Sequence, residues 1–324
     1  MNAIVQPKYT IPSLALSDSS LNGSGCMRKL ELRKMYGHKR SENADTIATG
    51  AGHALHGAWQ TFMATGSKDA GTWALVKRYP MHLQKSAMDS RSLEACYSAY
   101  LEMLANPIDS RYELATVMHN GKEEPAVEVP FRITFSDLSL FPDRDVPIYY
   151  DGFIDAILFD NLEQRYVVAD IKTTQKRRTD YSITYENDPQ CLPYAYVLEK
   201  ALGQATTGLS VIYFVVYIDP VEPRALKYEF NKTQADIQEW AFGTAMDINR
   251  IRQMAALGFF PKNGKACDTW GACEYKQACD YKEASAIREQ LDLTWGPRED
   301  SPRNSVLSNF DPWFELSLTI EGLV

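Results

Sequence analysis

The sequence has no long apolar run. Its longest, "VIYFVVYI" at residues 211–218, is far too short to cross a bilayer, which takes about 20 mostly apolar residues. The opening "MNAIVQPKYTIPSLALSDSS" lacks the basic stretch and apolar segment of a secretory signal. A cytoplasmic protein without membrane association is therefore expected. Excess positive charge is missing as well. The formal net charge is −8, so no global field draws in a polyanion. No internal repeat or low-complexity linker interrupts the chain. Its 324 residues could make one large α/β domain or two ordinary ones, and the missing linker favours one domain with embellishments. Cysteine is sparse: Cys26, Cys96, Cys191, Cys267, Cys273 and Cys279 are the six. In a reducing compartment disulfides are not expected, and the clustered thiols point to metal instead.

What is present falls into blocks. Residues 1–25 read as a loop-like N-terminal extension, with "SDSS" offering an N-cap. Residues 26–118 read as helical, including "ADTIATGAGHALHGAWQTFMATG" and "RSLEACYSAYLEMLAN". Near residue 126 the period changes to two. "AVEVPFRITF", "PIYYDGFIDAILF" and "RYVVADIKTT" predict three strands in a meander. "DPQCLPYAYVLEKALG" predicts a helix closing at Gly203. "GLSVIYFVVYI", apolar on both faces, predicts a buried strand. "TQADIQEWAFGTAMDINRIRQMAALG" predicts a long helix, residues 258–282 are Cys-rich, and 283–324 form a polar tail. Basic residues cluster in "MRKLELRKMYGHKR" (27–40) and in "KTTQKRR" (172–178). Taken alone, each run reads as a solvated helix face or loop.

The strand "VVADIKTT" carries charges where a core strand should be apolar. Side chains alternate along a strand, so Val168, Asp170 and Lys172 share one face. A hairpin centred on Leu162–Glu163 places Asp155 across from Asp170, with Cβ atoms about 4.5–5.5 Å apart. Two carboxylates that close stay ionised together only with a cation between them. Two acids and a lysine suit Mg²⁺ or Mn²⁺, which favour carboxylate oxygens and retained waters. On its own the hairpin is explained more simply by a surface-facing strand with a cross-strand salt bridge. Its neighbours in sequence change that weighting.

"DGFID" (151–155), "ADIKT" (169–173) and "QCLPY" (190–194), in that order, resemble the PD-(D/E)XK nuclease superfamily. Within it they resemble the RecB-like branch that includes the Cas4 and AddB nuclease domains. The G-x-x-D strand is matched by Gly152 to Asp155, and the D-x-K strand by Asp170 to Lys172. The Q-x-x-x-Y helix is matched by Gln190 and Tyr194, whose spacing of four puts them on one helical face. Upstream, "GHALH" supplies G-x-x-x-H with Gly52 and His56, although His53 lies close by and a His53/His56 zinc pair remains a minor alternative. Glu128 in "AVEVPF" sits where these proteins often carry an acid on the first strand.

The resemblance implies an α/β fold, a mixed sheet of four or five strands flanked by helices. It implies a single RecB/Cas4-like nuclease domain over residues 26–282: helical 26–118, catalytic core 119–257, Cys-rich 258–282. Asp155, Asp170 and His56 would bind the metal together with the Ile171 backbone carbonyl. Lys172 would position the nucleophilic water, while Gln190 and Tyr194 would contact substrate phosphate or steady the site. The basic clusters at Arg28–Arg40 and Lys176–Arg178 would neutralise phosphates without reading sequence.

Cys267, Cys273 and Cys279 follow C-x5-C-x5-C, and Cys26 could supply a fourth sulfur. In the RecB-like nucleases this layout, one cysteine before the core and three after it, holds a [4Fe–4S] cluster that staples the chain ends. The family's last three cysteines usually run C-x2-C-x5-C, so a Cys₄ zinc site stays open as the competitor. Three free thiols are the weaker reading. Cys96 and Cys191 lie in apolar helical stretches and are expected as core thiols.

The implied activity is metal-dependent hydrolysis of DNA phosphodiester bonds, of exonuclease type, on single strands or duplex ends. A DNA-end binding or recombination accessory protein that does not cut is the alternative class. An RNA-directed nuclease differs from the first reading only in substrate. By analogy the chain suits a phage or prokaryotic setting, with a recombination or replication protein as partner.

Overall fold

The computed structural model describes residues 11, 13–21, 25–36, 46–86, 89–107, 109–141, 143–176, 178, 180–203, 209–267, 273–295 and 311–318. In chain order it opens with strand β1 (Leu14–Leu16), helix α1 (Asp18–Leu21) and helix α2 (Met27–Leu30), which widens into a π-helical turn over Glu31–Met35. Three helices follow: α3 (Ile47–Thr65), α4 (Lys68–Arg78) and α5 (Leu93–Ala105). Short strands β2 (Tyr112–Leu114), β3 (Thr116–His119) and β4 (Lys122–Pro125) lead into the long strands β5 (Val127–Phe141) and β6 (Arg144–Asp160). Then come β7 (Arg165–Thr174), α6 (Ser182–Glu186), α7 (Cys191–Leu202), β8 (Leu209–Tyr217) and β9 (Arg224–Lys232). The chain closes with α8 (Gln234–Leu257), α9 (Lys276–Cys279), α10 (Ala284–Trp295) and β10 (Phe314–Leu318).

The chain divides into two compact units, one of residues 1–42, 131–152 and 239–324, the other of residues 43–130 and 153–238. Strands β5 and β6 each cross a border of this division.

In the second unit β6 pairs antiparallel with β7, β7 parallel with β8, and β8 antiparallel with β9. A parallel pair needs a crossover connection, and α6 and α7 supply it between β7 and β8. Strand β7 presents Val167, Ala169 and Ile171 to the core cluster of α3, α4 and α5, which includes Ala51, Leu55, Trp59, Leu75 and Tyr100. By alternation Val168, Asp170 and Lys172 face the other way, the side on which α7 packs. Helix α3 starts at Thr46, whose hydroxyl accepts the Thr49 N–H at 3.2 Å, an N-cap interaction. Its buried face is made of small residues, among them Gly50, Ala51, Gly52 and Ala54. A Cβ on Gly52 would meet Thr173 Oγ1 at 3.1 Å, so the glycine lets α3 lie close upon β7.

In the first unit β1 pairs parallel with Ile148–Tyr150 of β6, and β10 pairs parallel with Phe131–Phe135 of β5. β1 corrects the expectation of a loop-like stretch over residues 1–25, and β10 lies within the expected polar tail. These strands have three and five residues, too short for alternation to stand out. Gly152, the glycine of "DGFID", is packed so that a Cβ would meet the Phe131 ring at 2.5 Å. Tyr150 sits edge-on against Trp240 of α8 at 5.6 Å between centroids. A further correction concerns the end of the mostly helical stretch expected over 26–118, where β2 (Tyr112–Leu114) and β3 (from Thr116) are found. The predicted helix at "DPQCLPYAYVLEKALG" and the strands at "RYVVADIKTT" and "GLSVIYFVVYI" lie where expected. β9 was not foreseen; it ends the sheet, with Leu226, Tyr228 and Phe230 half-buried on one face and Lys227, Glu229 and Asn231 exposed on the other.

Candidate functional site

The hairpin of β6 and β7 runs in register from Asp160–Arg165 to Ala156–Ala169. The next step of that register aligns Asp155 with Asp170. Asp170 is buried and Asp155 nearly so, at 1% and 13% side-chain exposure. Asp155 Oδ2 accepts the Ile171 N–H at 2.9 Å. Burial and the neighbouring Asp170 carboxylate hold the Asp155 carboxyl well above its usual range, against the pull of the Ile171 N–H and Lys172. Two crowded acids with too little countercharge are a place for a cation.

Lys172 alternates with Asp170 on the same face and bonds to it, Nζ to Oδ2 at 2.6 Å. The same Nζ donates to Gln190 Oε1 at 2.5 Å and lies 5.8 Å from the Tyr213 ring centroid. Gln190 precedes the first residue of α7, its N–H bonded to Asp188 Oδ1 at 2.9 Å. Its amide reaches one turn along the helix to donate to the Tyr194 hydroxyl at 3.2 Å. The Q-x-x-x-Y spacing thus becomes a continuous relay from Asp170 through Lys172 and Gln190 to Tyr194. Burial works against the charge on Lys172, but Asp170 outweighs it and holds the ammonium above the ordinary lysine range. Lys172 is therefore a fixed positive charge, suited to orienting a water or stabilising charge built on phosphorus, not to accepting a proton. Burial, then Asp170, raises the Tyr194 hydroxyl well above its usual range, so it stays a neutral phenol.

His56 comes from α3, with Nδ1 3.4 Å from Asp155 Oδ2. Burial first, then the charges of Lys172 and His53, lower its pKa to about 4. The ring is neutral at pH 7, the form that offers a nitrogen lone pair to a metal. His53, one turn earlier, is exposed. The spacing in "GHALH" left the choice open, and the contact with Asp155 belongs to His56.

Asp155, Asp170, neutral His56 and the Ile171 backbone are hard oxygen and imidazole donors, a chemistry that fits Mg²⁺ or Mn²⁺. Among the described residues, however, no group of three or more His, Cys, Asp or Glu side chains is arranged to hold a metal ion as it stands. Asp170 turns to Lys172, and the Ile171 N–H to Asp155.

Three neighbours of this site were not read as parts of it from the sequence. Gln60, one turn after His56 on α3, donates to Glu128. Tyr213 pairs with Asp170 across the β7–β8 ladder and stacks on Tyr185 at 5.1 Å. Cys191, the first residue of α7, follows Gln190, and burial, then Asp170, raises its thiol well above the usual range. It is fully buried, as is Cys96, in line with core thiols. The i, i+4 spacing of His56 and Gln60 was the available signal for the first; Tyr213 depends on strand pairing, and Cys191 on how α7 packs on the sheet.

In the first unit Cys26, Cys267, Cys273 and Cys279 line one cavity of about 170 Å³, with Lys29, Lys262 and Lys276 among the other lining residues. All four are free, partly exposed thiols. The Asn263 N–H points to Cys26 Sγ at 3.4 Å and its amide donates to Gly25 O at 2.7 Å. The Cys273 N–H bonds to Cys267 O at 2.9 Å. The structure thus gathers the sulfur atoms of distant sequence positions around one space without a metal geometry.

The basic cluster at 27–40 needs correction as a phosphate contact. Arg28 is buried, paired with Glu31 and donating to Tyr281 O at 2.9 Å. Lys29 pairs with Glu274 at 3.2 Å, and Lys34 donates to Ala15 O at 2.6 Å. Arg28 is thus turned inward, while Lys29, Arg33 and Lys34 stay partly exposed. Lys39 and Arg40 lie outside the described residues, as does Arg177. Lys176 and Arg178 are exposed.

A mixed sheet presenting two acids, a paired lysine and a neutral histidine fits the class of nuclease-type phosphodiester hydrolases. The family model of the PD-(D/E)XK nuclease superfamily matches residues 17–280, and the chain belongs to that superfamily. Membership implies a nucleic acid substrate. No curated protein matches the sequence. Among solved structures, "Crystal structure of SSO0001" is similar at 16% identity over 71% of this chain and 82% of that chain, with a TM-score of 0.21. No helix among the described residues is long and apolar enough to cross a membrane.

Proposed function

We propose that this protein is a Mg²⁺- or Mn²⁺-dependent DNA nuclease of the RecB-like branch, cutting from single strands or duplex ends. The observation that carries the reading is the aligned Asp155–Asp170 pair with Lys172 bonded between Asp170 and Gln190. A divalent cation held by Asp155, Asp170, His56 and the Ile171 carbonyl supplies Lewis-acid polarisation of a phosphoryl oxygen. Lys172 keeps its charge on the same face, where it orients the attacking water and meets the negative charge that builds on the phosphate. Gln190 holds Lys172 in place, and Tyr194 holds Gln190. Exposed Lys176 and Arg178, just beyond the catalytic strand, contact backbone phosphates of either sequence.

For the thiol cavity we propose a structural [4Fe–4S] cluster on Cys26, Cys267, Cys273 and Cys279, with Zn²⁺ as the competing occupant. Purification without oxygen decides between them: a colourless protein with stoichiometric zinc and no acid-labile sulfide selects zinc. Recombination, repair or phage DNA processing is the setting such an enzyme suits.

The test is cleavage of end-labelled linear DNA, circular DNA and RNA across a series of divalent metals. Products from linear DNA alone, with Mn²⁺ or Mg²⁺, are expected. Binding without products under every metal would favour a DNA-end binding protein, and products from RNA alone would move the substrate.

A further inference from the structure

Resting on that reading, we propose that Gln60 is a positioning residue of the metal site, holding Glu128 as a third carboxylate beside Asp155. Four observations on the second unit carry this. First, Gln60 is a buried polar side chain, 5% exposed, and its amide nitrogen donates to Glu128 Oε1. A buried amide spends its hydrogen bonds on definite partners, and here the partner is the side chain of an exposed acid. Second, His56 and Gln60 are four residues apart on α3 and so lie on one helical face. One turn of that face meets Asp155 and the next meets Glu128.

Third, strand pairing brings the two acids to one level. The Ile157 N–H donates to Ala126 O at 2.9 Å. Glu128 and Asp155 each lie two residues along the chain from that bond. Fourth, the backbone at Glu128 has φ +50°. The other non-glycine residues with positive φ, Asn120 and Gln164, stand in turns between strands, whereas Glu128 stands within β5. Left-handed backbone at a non-glycine strand position is uncommon and persists where the surroundings determine it. Here the surroundings include the amide of Gln60, bonded to the Glu128 carboxylate.

The amide occupies one carboxylate oxygen and, being neutral, leaves the charge of Glu128 whole. The second oxygen remains to face a cation or its water. A ligand carboxylate oriented by an outer hydrogen bond is the general pattern of such partners, whose loss costs about 10- to 100-fold in metal affinity.

The test is Mn²⁺ titration calorimetry on chelator-stripped protein, which reads the metal without activity. Glu128→Gln and Gln60→Leu should each weaken Mn²⁺ binding about 10-fold or more. In the Glu128→Gln background, Gln60→Leu should add less than about 2-fold, because the two act as one unit. Gln60→Met, close in length, repeats the measurement should the leucine variant fail to fold. The inference is overturned by a Gln60 variant that melts earlier yet binds Mn²⁺ as wild type does, or by equal losses in both backgrounds. Wild-type protein that takes up no Mn²⁺ sinks the proposed function along with it. Wild-type binding with unaffected Gln60 variants sinks this inference alone.

Discussion

The acid site of the second unit and the thiol cavity of the first both gather residues from distant parts of the sequence, but by different means. At the acid site the carboxylates are brought together by strand register, and every charged group already has a protein partner. Around the cavity the sulfur atoms sit on short elements and turns, tied by a few contacts such as the Asn263 side-chain amide to Gly25 O. A site built on ladders keeps its geometry without a ligand. One built on loops takes its final geometry from what binds there. Removing a side chain should therefore change chemistry at the first site and folding at the second.

The largest expected effect tests the first half of that contrast. Asp170→Asn should lower Mn²⁺-dependent cleavage at least about 10³-fold, with the circular dichroism spectrum unchanged. Unchanged cleavage would remove the acid pair from the mechanism. The second half is tested by Cys267→Ala and Cys279→Ala. Either should lose the bound iron or zinc measured by elemental analysis and lower Tm by roughly 4–8 °C, whereas Asp170→Asn should leave that metal content alone.

A pH series sharpens the comparison further. The folded-state pKa of His56 is lowered to about 4 from 6.5. Between those values the unfolded chain binds the proton more readily, so stability falls as pH drops through that window. Denaturant titrations of metal-free protein should show this loss, and His56→Gln should flatten that part of the curve by roughly 2 kcal/mol. The smallest effect separates the two sets of basic residues. Lys176→Ala with Arg178→Ala should reduce the salt slope of DNA binding by about 1 to 2. Arg28→Ala should lower Tm and leave the slope as it was.

Legibility followed the range of the interaction. The alignment of Asp155 with Asp170 could be read because period-two alternation and a short turn set the register of a hairpin. The helix carrying Gln190 and Tyr194 could be read from its length and from Gly203 after it. Arg28 was misread as a phosphate contact because, although Glu31 is a helical neighbour, nothing local says that the Tyr281 carbonyl will help enclose it. β1 and β10 escaped notice because each is only a few residues long and pairs with a strand more than a hundred residues away. The contact of Gln60 with Glu128 depends on a left-handed backbone at Glu128, which no spacing announces.

Residue order alone established which donors exist, their alternation along β7 and the four-residue steps on α3 and α7, since these follow from backbone periods of two and 3.6. Packing decided the rest: which histidine meets Asp155, that Lys172 keeps its proton, and that four cysteines share one cavity. Those outcomes depend on burial and on charges brought near by strand pairing and close helix contact, neither of which is a property of neighbours in sequence.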